Sequence, residues 1–164
     1  MTEIIESAGG FVAIEVESEG TSEFVELKLA EADDLPAAVR KAVGVDADTH
    51  IFERDQDEPI LRLAKGRSHM RLVLSKNRKI EVSVRYEHET RMREFAPSAT
   101  VFKVLQWAIS KKGYNLDPVT AAKANLILPG ADEPMPRERT IGSYIERGGK
   151  TLIVDLTLRD FTNG

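Results

Sequence analysis

The run PSATVFKVLQWAISKKG (97–113) reads as one amphipathic helix set between segments of a different period. Thr100 is placed to cap it, because a hydroxyl there accepts a backbone N–H that the first turn leaves free. Val101, Val104, Leu105, Ala108 and Ile109 form one apolar stripe, Lys111 and Lys112 stand at the negative end, and Gly113 stops the helix. Phe102 and Trp107 lie off the stripe and could bury the junction between the domains or contact a partner; packing is the favoured reading, because a lone Trp more often closes a small core. Upstream the period changes to two. Ile80, Val82 and Val84 alternate with Glu81, Ser83 and Arg85, a turn follows around YEHET (86–90), and a pairing strand runs through Met92, Glu94 and Phe95. Downstream come two more strands, NLILP (125–129) and TLIVDLTL (151–158). Leu152, Val154, Leu156 and Leu158 are expected on the core side of the last strand, with the Tyr144 hydroxyl anchoring the irregular turn before it.

The same order occurs once before. Val12, Ile14 and Val16, then Val25, Leu27 and Leu29, alternate on either side of EGTS (19–22), which reads as a hairpin turn. LPAAVRKAVG (35–44) follows as a short helix, with Pro36 in its first turn, Leu35, Ala38, Val39, Ala42 and Val43 at helical spacing, and Gly44 at the C-terminal left-handed position. IFERD (51–55) and MRLVL (70–74) complete the set. Both halves therefore read β-β-α-β-β, an α+β class with two small domains, 10–77 and 78–158, and a flexible tail, 159–164. SKNR (75–78) is the only polar break between them, and four residues reach at most ~14 Å, so a rigid or semi-rigid tandem is expected. Each half offers roughly ten apolar positions worth ~1.5–3 kcal/mol apiece when buried, enough for two modest cores.

Composition narrows the function. At 41% hydrophobic and 30% charged residues the chain is globular, with no apolar run long enough for a membrane helix, and MTEIIESAGG lacks the pattern of a signal peptide. A cytoplasmic protein without membrane contact is expected. The absence of Cys removes disulfides, a thiolate nucleophile and Cys-based zinc sites. Residues 1–77 carry 16 acids and 9 bases, net −7, and residues 78–164 carry 11 acids and 14 bases, net +3. Neither balance suits nucleic acid, while the asymmetry favours a modestly basic partner for the first half and a modestly acidic one for the second. His50, His69 and His88 have no ligand spacing, and Lys150-Thr151 after Gly148-Gly149 lacks the leading glycine and the helix of a phosphate loop. No metal, cofactor or catalytic residue is expected; the chain does not read as an enzyme.

The second half resembles ubiquitin over about 80 residues. PSATVFKVLQWAISKKG has that family's Pro-Ser-x-Thr-aliphatic helix entry and Lys-x-Gly exit. NLILPG (125–130) is similar to its third strand and turn, and RTIGSYIERGGKTLIVDL (139–156) to its Arg-Thr-aliphatic-x-x-Tyr-x-Ile segment and last strand. Over 10–77 the likeness rests on topology alone. Two tandem β-grasp (ubiquitin-like) domains on one short chain resemble the BilA-type bacterial antiphage family, counterpart of the interferon-induced two-domain modifier. That resemblance implies an E1-like activating enzyme, an E2-like conjugating enzyme, a deconjugating protease and a target protein, which for the bacterial type is a phage structural protein.

In such modifiers the C-terminal carboxylate is the reacting group, which places the chemistry at Gly164. A last residue without Cβ lets the acyl carbon be approached from either face. RDFTNG (159–164) departs from the family's Leu-Arg-Gly-Gly ending. Arg159, Phe161 and Asn163 are expected to contact the activating enzyme, although Phe161 serves equally well folded back on the sheet. By fold position Ile127 and Ile153 are expected outward as a small partner-binding surface, trimmed by Asp155. The competing function is a non-covalent tandem adaptor; a sulfur carrier fits less well, since those proteins resemble a single such domain with a Gly-Gly end.

Overall fold

The computed structural model describes residues 11–21, 23–30, 34–62 and 67–161. The first half contains β1 (Phe11–Glu17), β2 (Phe24–Ala30), α1 (Leu35–Val43), β3 (His50–Glu53) and β4 (His69–Ser75). In the second half lie β5 (Ile80–Tyr86), β6 (Glu89–Phe95), α2 (Val101–Ile109), α3 (Pro118–Lys123), β7 (Asn125–Ile127), a 3-10 helix (Ile141–Tyr144) and β8 (Thr151–Thr157). Two four-stranded mixed sheets result, ordered β2-β1-β4-β3 and β6-β5-β8-β7, each with a parallel central pair and antiparallel outer pairs. This is an α+β architecture of the ubiquitin-like β-grasp kind.

The two sheets also agree in register. Setting Val12, Ile14 and Val16 over Ile80, Val82 and Val84 carries Met70, Leu72 and Leu74 onto Leu152, Val154 and Leu156 through the parallel ladders. The same step brings Leu29 onto Phe95 and Ile51 onto Leu126. All of these side chains belong to one of two separate hydrophobic cores. A slip of one residue would have moved a strand's set to the opposite face, so the agreement defines which face is inner and which outer in both halves.

The caps expected at Thr100 and Gly44 are in place, and Asp34 caps α1 as well. Asp34 accepts the Ala37 N–H at 3.1 Å and Thr100 the Lys103 N–H at 3.2 Å, while Gly44 takes the left-handed conformation and bonds back to the Arg40 carbonyl. The end of α2 differs from expectation. Ser110 is the C-cap, leaving Lys111 and Lys112 beyond the last turn. Gly113 is required for close approach, since a Cβ there would lie 2.4 Å from the Ala108 carbonyl oxygen and 2.5 Å from that of Trp107. Trp107 does not serve the junction; it fills the second core edge-to-face against Phe95, centroids 5.8 Å apart. Phe102 stays exposed, under the Arg137 guanidinium. β2 is an edge strand over a nine-residue helix, and of its expected core positions Leu29 is buried, Leu27 half-buried and Val25 exposed. Ala42 likewise faces solvent.

Leu158 also departs from expectation. The β7–β8 ladder ends at Asn125 and Thr157, so Leu158 has no opposing strand and lies exposed. The Tyr144 hydroxyl anchors nothing: it is buried without a hydrogen-bond partner among the described residues, and the ring is held instead by the Arg139 guanidinium 4.1 Å from its centroid. Burial pushes that phenol above its ordinary pKa.

The halves meet on the outer face of the first sheet. Phe52 and Val73 are cross-strand neighbours there, fully buried yet outside the first core. Gly142 lies over Val73, close enough that a Cβ would stand 3.2 Å from Cγ1. Beside them the buried Glu17 accepts the Thr140 hydroxyl at 2.7 Å. At the hairpin turn Glu19 accepts the backbone N–H groups of Lys76 and Gly148, and the Asn77 amide donates to the carbonyls of Gly148 and Gly149 at 3.2 and 2.8 Å. Gly20, at φ 72°, leaves room for the Ile145 carbonyl. Asp55 donates its N–H to the Ser98 carbonyl, and Arg78 and Lys103 pair with Glu58 and Asp57. These contacts join the two halves.

Candidate functional site

β8 lies at the centre of its sheet, between β5 and β7, and runs out at Thr157 into the tail. The base of the tail is fastened. Arg159 donates its backbone N–H to the Thr157 hydroxyl at 3.1 Å and a guanidinium N–H to the Asp132 carbonyl at 2.8 Å, in the loop after β7. The same guanidinium covers the Phe161 ring, 4.5 Å from its centroid, and Phe161 is half-buried. Asn163 and the Gly164 carboxylate lie outside the described residues.

The outer face of the second sheet is the other candidate surface. Ile153 points outward as expected and is 49% exposed. Ile127 also lies on that face, opposite Asp155, but is only 8% exposed and offers no apolar contact area. The reason is local: β7 is three residues long, the chain returns beside it with the Met135 N–H on the Leu126 carbonyl, and the tail base is tied across the same loop. Asp155 is gripped by Arg85 in a two-pronged ion pair, Nε to Oδ1 at 2.6 Å and Nη2 to Oδ2 at 3.0 Å, and the guanidinium is held above its usual pKa by that carboxylate. Asp155 thus trims the patch as the sequence suggests.

The residue that sequence reading missed is Met92. It is 60% exposed and opposite Ser83, which in turn neighbours Ile153 on β8, so the three form a row across β6, β5 and β8. Its parity in the hairpin was the signal that could have found it, because Met92 shares the outer face with Glu94 and Thr90 while Phe95 turns inward.

Residues 81–159 match the family described as BilA ubiquitin-like domain 2. That span, just under half of the chain, is similar to a BilA-type ubiquitin-like domain. The matched span begins in β5 and ends at Arg159, so it takes in the whole second sheet, its helix and the first fastened residue of the tail. No curated protein matches the chain. Domains of this family are modifiers or adaptors rather than enzymes. Among the described residues, no group of three His, Asp or Glu is arranged to hold a metal, and no helix is long and apolar enough to cross a membrane.

Proposed function

We propose that this protein is a tandem β-grasp modifier whose Gly164 carboxylate is the reacting group. A carboxylate with a pKa near ~3.5 is ionised and unreactive at neutral pH, so the acyl group must be activated by partner enzymes. An E1-like enzyme joins it to AMP with release of pyrophosphate, an enzyme thiolate displaces AMP to give a thioester, and after transfer to an E2-like cysteine a target amine displaces the thiol. The match of the second half to the BilA ubiquitin-like family, running to the first residue of the tail, carries this reading. The same resemblance supports a role in bacterial antiphage defence, in the cytoplasm, with a deconjugating protease as a further partner. In this reading Arg159, Phe161 and Asn163 contact the activating enzyme and Ile153 belongs to a surface gripped by partners; the Arg159 guanidinium over the Phe161 ring and the exposure of Ile153 support it.

The test is direct. With ATP and a cognate E1-like activating enzyme, the protein should form a thioester-linked species on a denaturing, non-reducing gel, lost when Gly164 is deleted. A species that survives the deletion refutes the assignment. The non-covalent adaptor reading draws on the exposed Ile153; it requires that tail removal leave function intact while Ile153→Asp abolishes it.

A further inference from the structure

The outer sheet faces of the two halves are superposable by register, and the molecule itself shows what the first of them does. There, Gly142 of the second half lies over the buried Val73, and the buried Glu17 accepts the Thr140 hydroxyl. The positions of the second sheet that correspond to Phe52, Val73 and Glu17 are Ile127, Asp155 and Arg85, where the last two satisfy each other. What stays open is the row Met92–Ser83–Ile153, two exposed apolar side chains on either side of a small one.

One step along the strands, Glu81 stands directly opposite Glu94, both exposed. Like charges facing each other across an antiparallel pair are unfavourable, and their cost is normally offset by a neighbouring cation. The first sheet contains that compensation: Glu15 opposes Glu26, and Arg71 on the adjacent strand pairs with Glu15 at 2.9 Å. On the second sheet the neighbour of Glu81 in the parallel ladder is Thr151, and no ion pair reaches Glu81 or Glu94 among the described residues. Nothing in the fold of the second half calls for two uncompensated carboxylates beside two exposed apolar side chains. A partner with the opposite charge and its own apolar side chains does.

We infer that the Met92–Ser83–Ile153 row and the Glu81/Glu94 pair form a docking surface for a basic, aliphatic segment of a partner protein. Aliphatic side chains of that segment cover Met92 and Ile153, and its lysine or arginine bridges the two carboxylates, the role Arg71 plays for Glu15 in the first half. This deepens the partner surface of the proposed function and rests on that reading for its biological use, but not on the chemistry of Gly164.

The experiment titrates the isotope-labelled full chain with an end-blocked eight-residue peptide alternating leucine and lysine, and with its leucine–glutamate counterpart, by NMR. The basic peptide should bind with shifts centred on Ser83, Met92 and Ile153, and the acidic one should not bind. Ile153→Asp and, separately, Met92→Gln, both at exposed positions, should weaken binding by about tenfold or more, the scale of losing an anchor residue. Replacing Glu81 and Glu94 by Gln should remove most of the salt dependence. Equal binding of the acidic peptide, shifts centred elsewhere, absence of binding, or indifference to Ile153→Asp overturns the inference. A chain ending at Phe161 should bind as the full chain does, so this result and the thioester result can fail separately.

Discussion

Gly142→Ala gives a stability change whose sign is set by the junction. Gly142 sits in the 3-10 helix with its N–H on the Pro97 carbonyl at 2.9 Å. An added Cβ would stand 2.9 Å from that same oxygen and 3.2 Å from both the Pro97 Cβ and the Val73 Cγ1 of the other half. At an uncrowded site alanine would stabilise by about 0.4–1 kcal/mol, because the unfolded chain loses freedom. Here the oxygen belongs to hydrogen-bonded backbone and Val73 is fully buried, so neither moves freely, and overpacking of this kind costs about 1–3 kcal/mol. The clash wins by roughly 0.5–2 kcal/mol, and at about 2–4 °C per kcal/mol for a chain of this size the melting temperature should fall by about 1–8 °C in scanning calorimetry. Part of that penalty crosses the junction. Gly142→Ala should therefore cost less in a Val73→Ala background than in the native one, whereas distant sites would be additive. A raised melting temperature for Gly142→Ala, or strict additivity with Val73→Ala, refutes the close approach of the two halves.

Thr100→Ala removes the α2 cap and should lower stability by about 0.5–2 kcal/mol in denaturant unfolding, with an unchanged m-value. Tyr144→Phe removes a buried hydroxyl that has no partner, so stability at pH 7 should hold or rise by up to about 1 kcal/mol. Because burial raises the Tyr144 pKa, the unfolded chain loses this proton first as pH climbs past about 10, so stability falls there; the Phe variant should show a shallower alkaline limb. Lys76, bonded to Asp46 and Asp48 at 2.7 and 2.8 Å, lowers the Asp48 pKa. That contribution is present above the ordinary carboxylate pKa of about 3.9 and is lost as pH falls through the depressed value, so Lys76→Met should flatten the acid limb of the stability profile.

The sequence carried the strand and helix order because each element is specified locally. Period two at Ile80–Val84, a threonine cap and a 3.6-residue stripe at 101–109 need no tertiary knowledge. What it did not carry depends on neighbours that alternation cannot name. Ile127 and Ile153 share an outward parity, and only the three-residue length of β7 and the loop returning beside it separate the buried one from the exposed one. Phe52 reads as a loose apolar residue in a four-residue strand until Gly142 is brought over Val73 beside it. Arg159 reads as part of a polar tail, and its bond to the Asp132 carbonyl joins residues 27 apart in the chain. The short α3 also escaped notice, since six residues with no buried side chain leave no apolar stripe to detect.

The junction further dictates which half depends on the other. Separating them strips the first half of the cover over Val73, a fully buried apolar side chain beside Phe52, worth ~1.5–3 kcal/mol. Domains below ~70–80 residues seldom hold more than ~3–5 kcal/mol of net stability, so that loss takes a large share of what the first half has. On its side of the junction the second half contributes the buried Thr140 hydroxyl and the exposed or half-buried backbone groups of Gly148 and Gly149, which water solvates readily, and its own core of 18 buried residues lies behind the opposite face of its sheet. Residues 78–164 expressed alone should therefore give a dispersed amide spectrum and a cooperative melt, while residues 1–77 alone should collapse without fixed packing or aggregate. Equal folding of the two fragments would mean that Phe52 and Val73 find cover within the first half, and the junction would then be a contact of convenience rather than the surface on which the first half is completed.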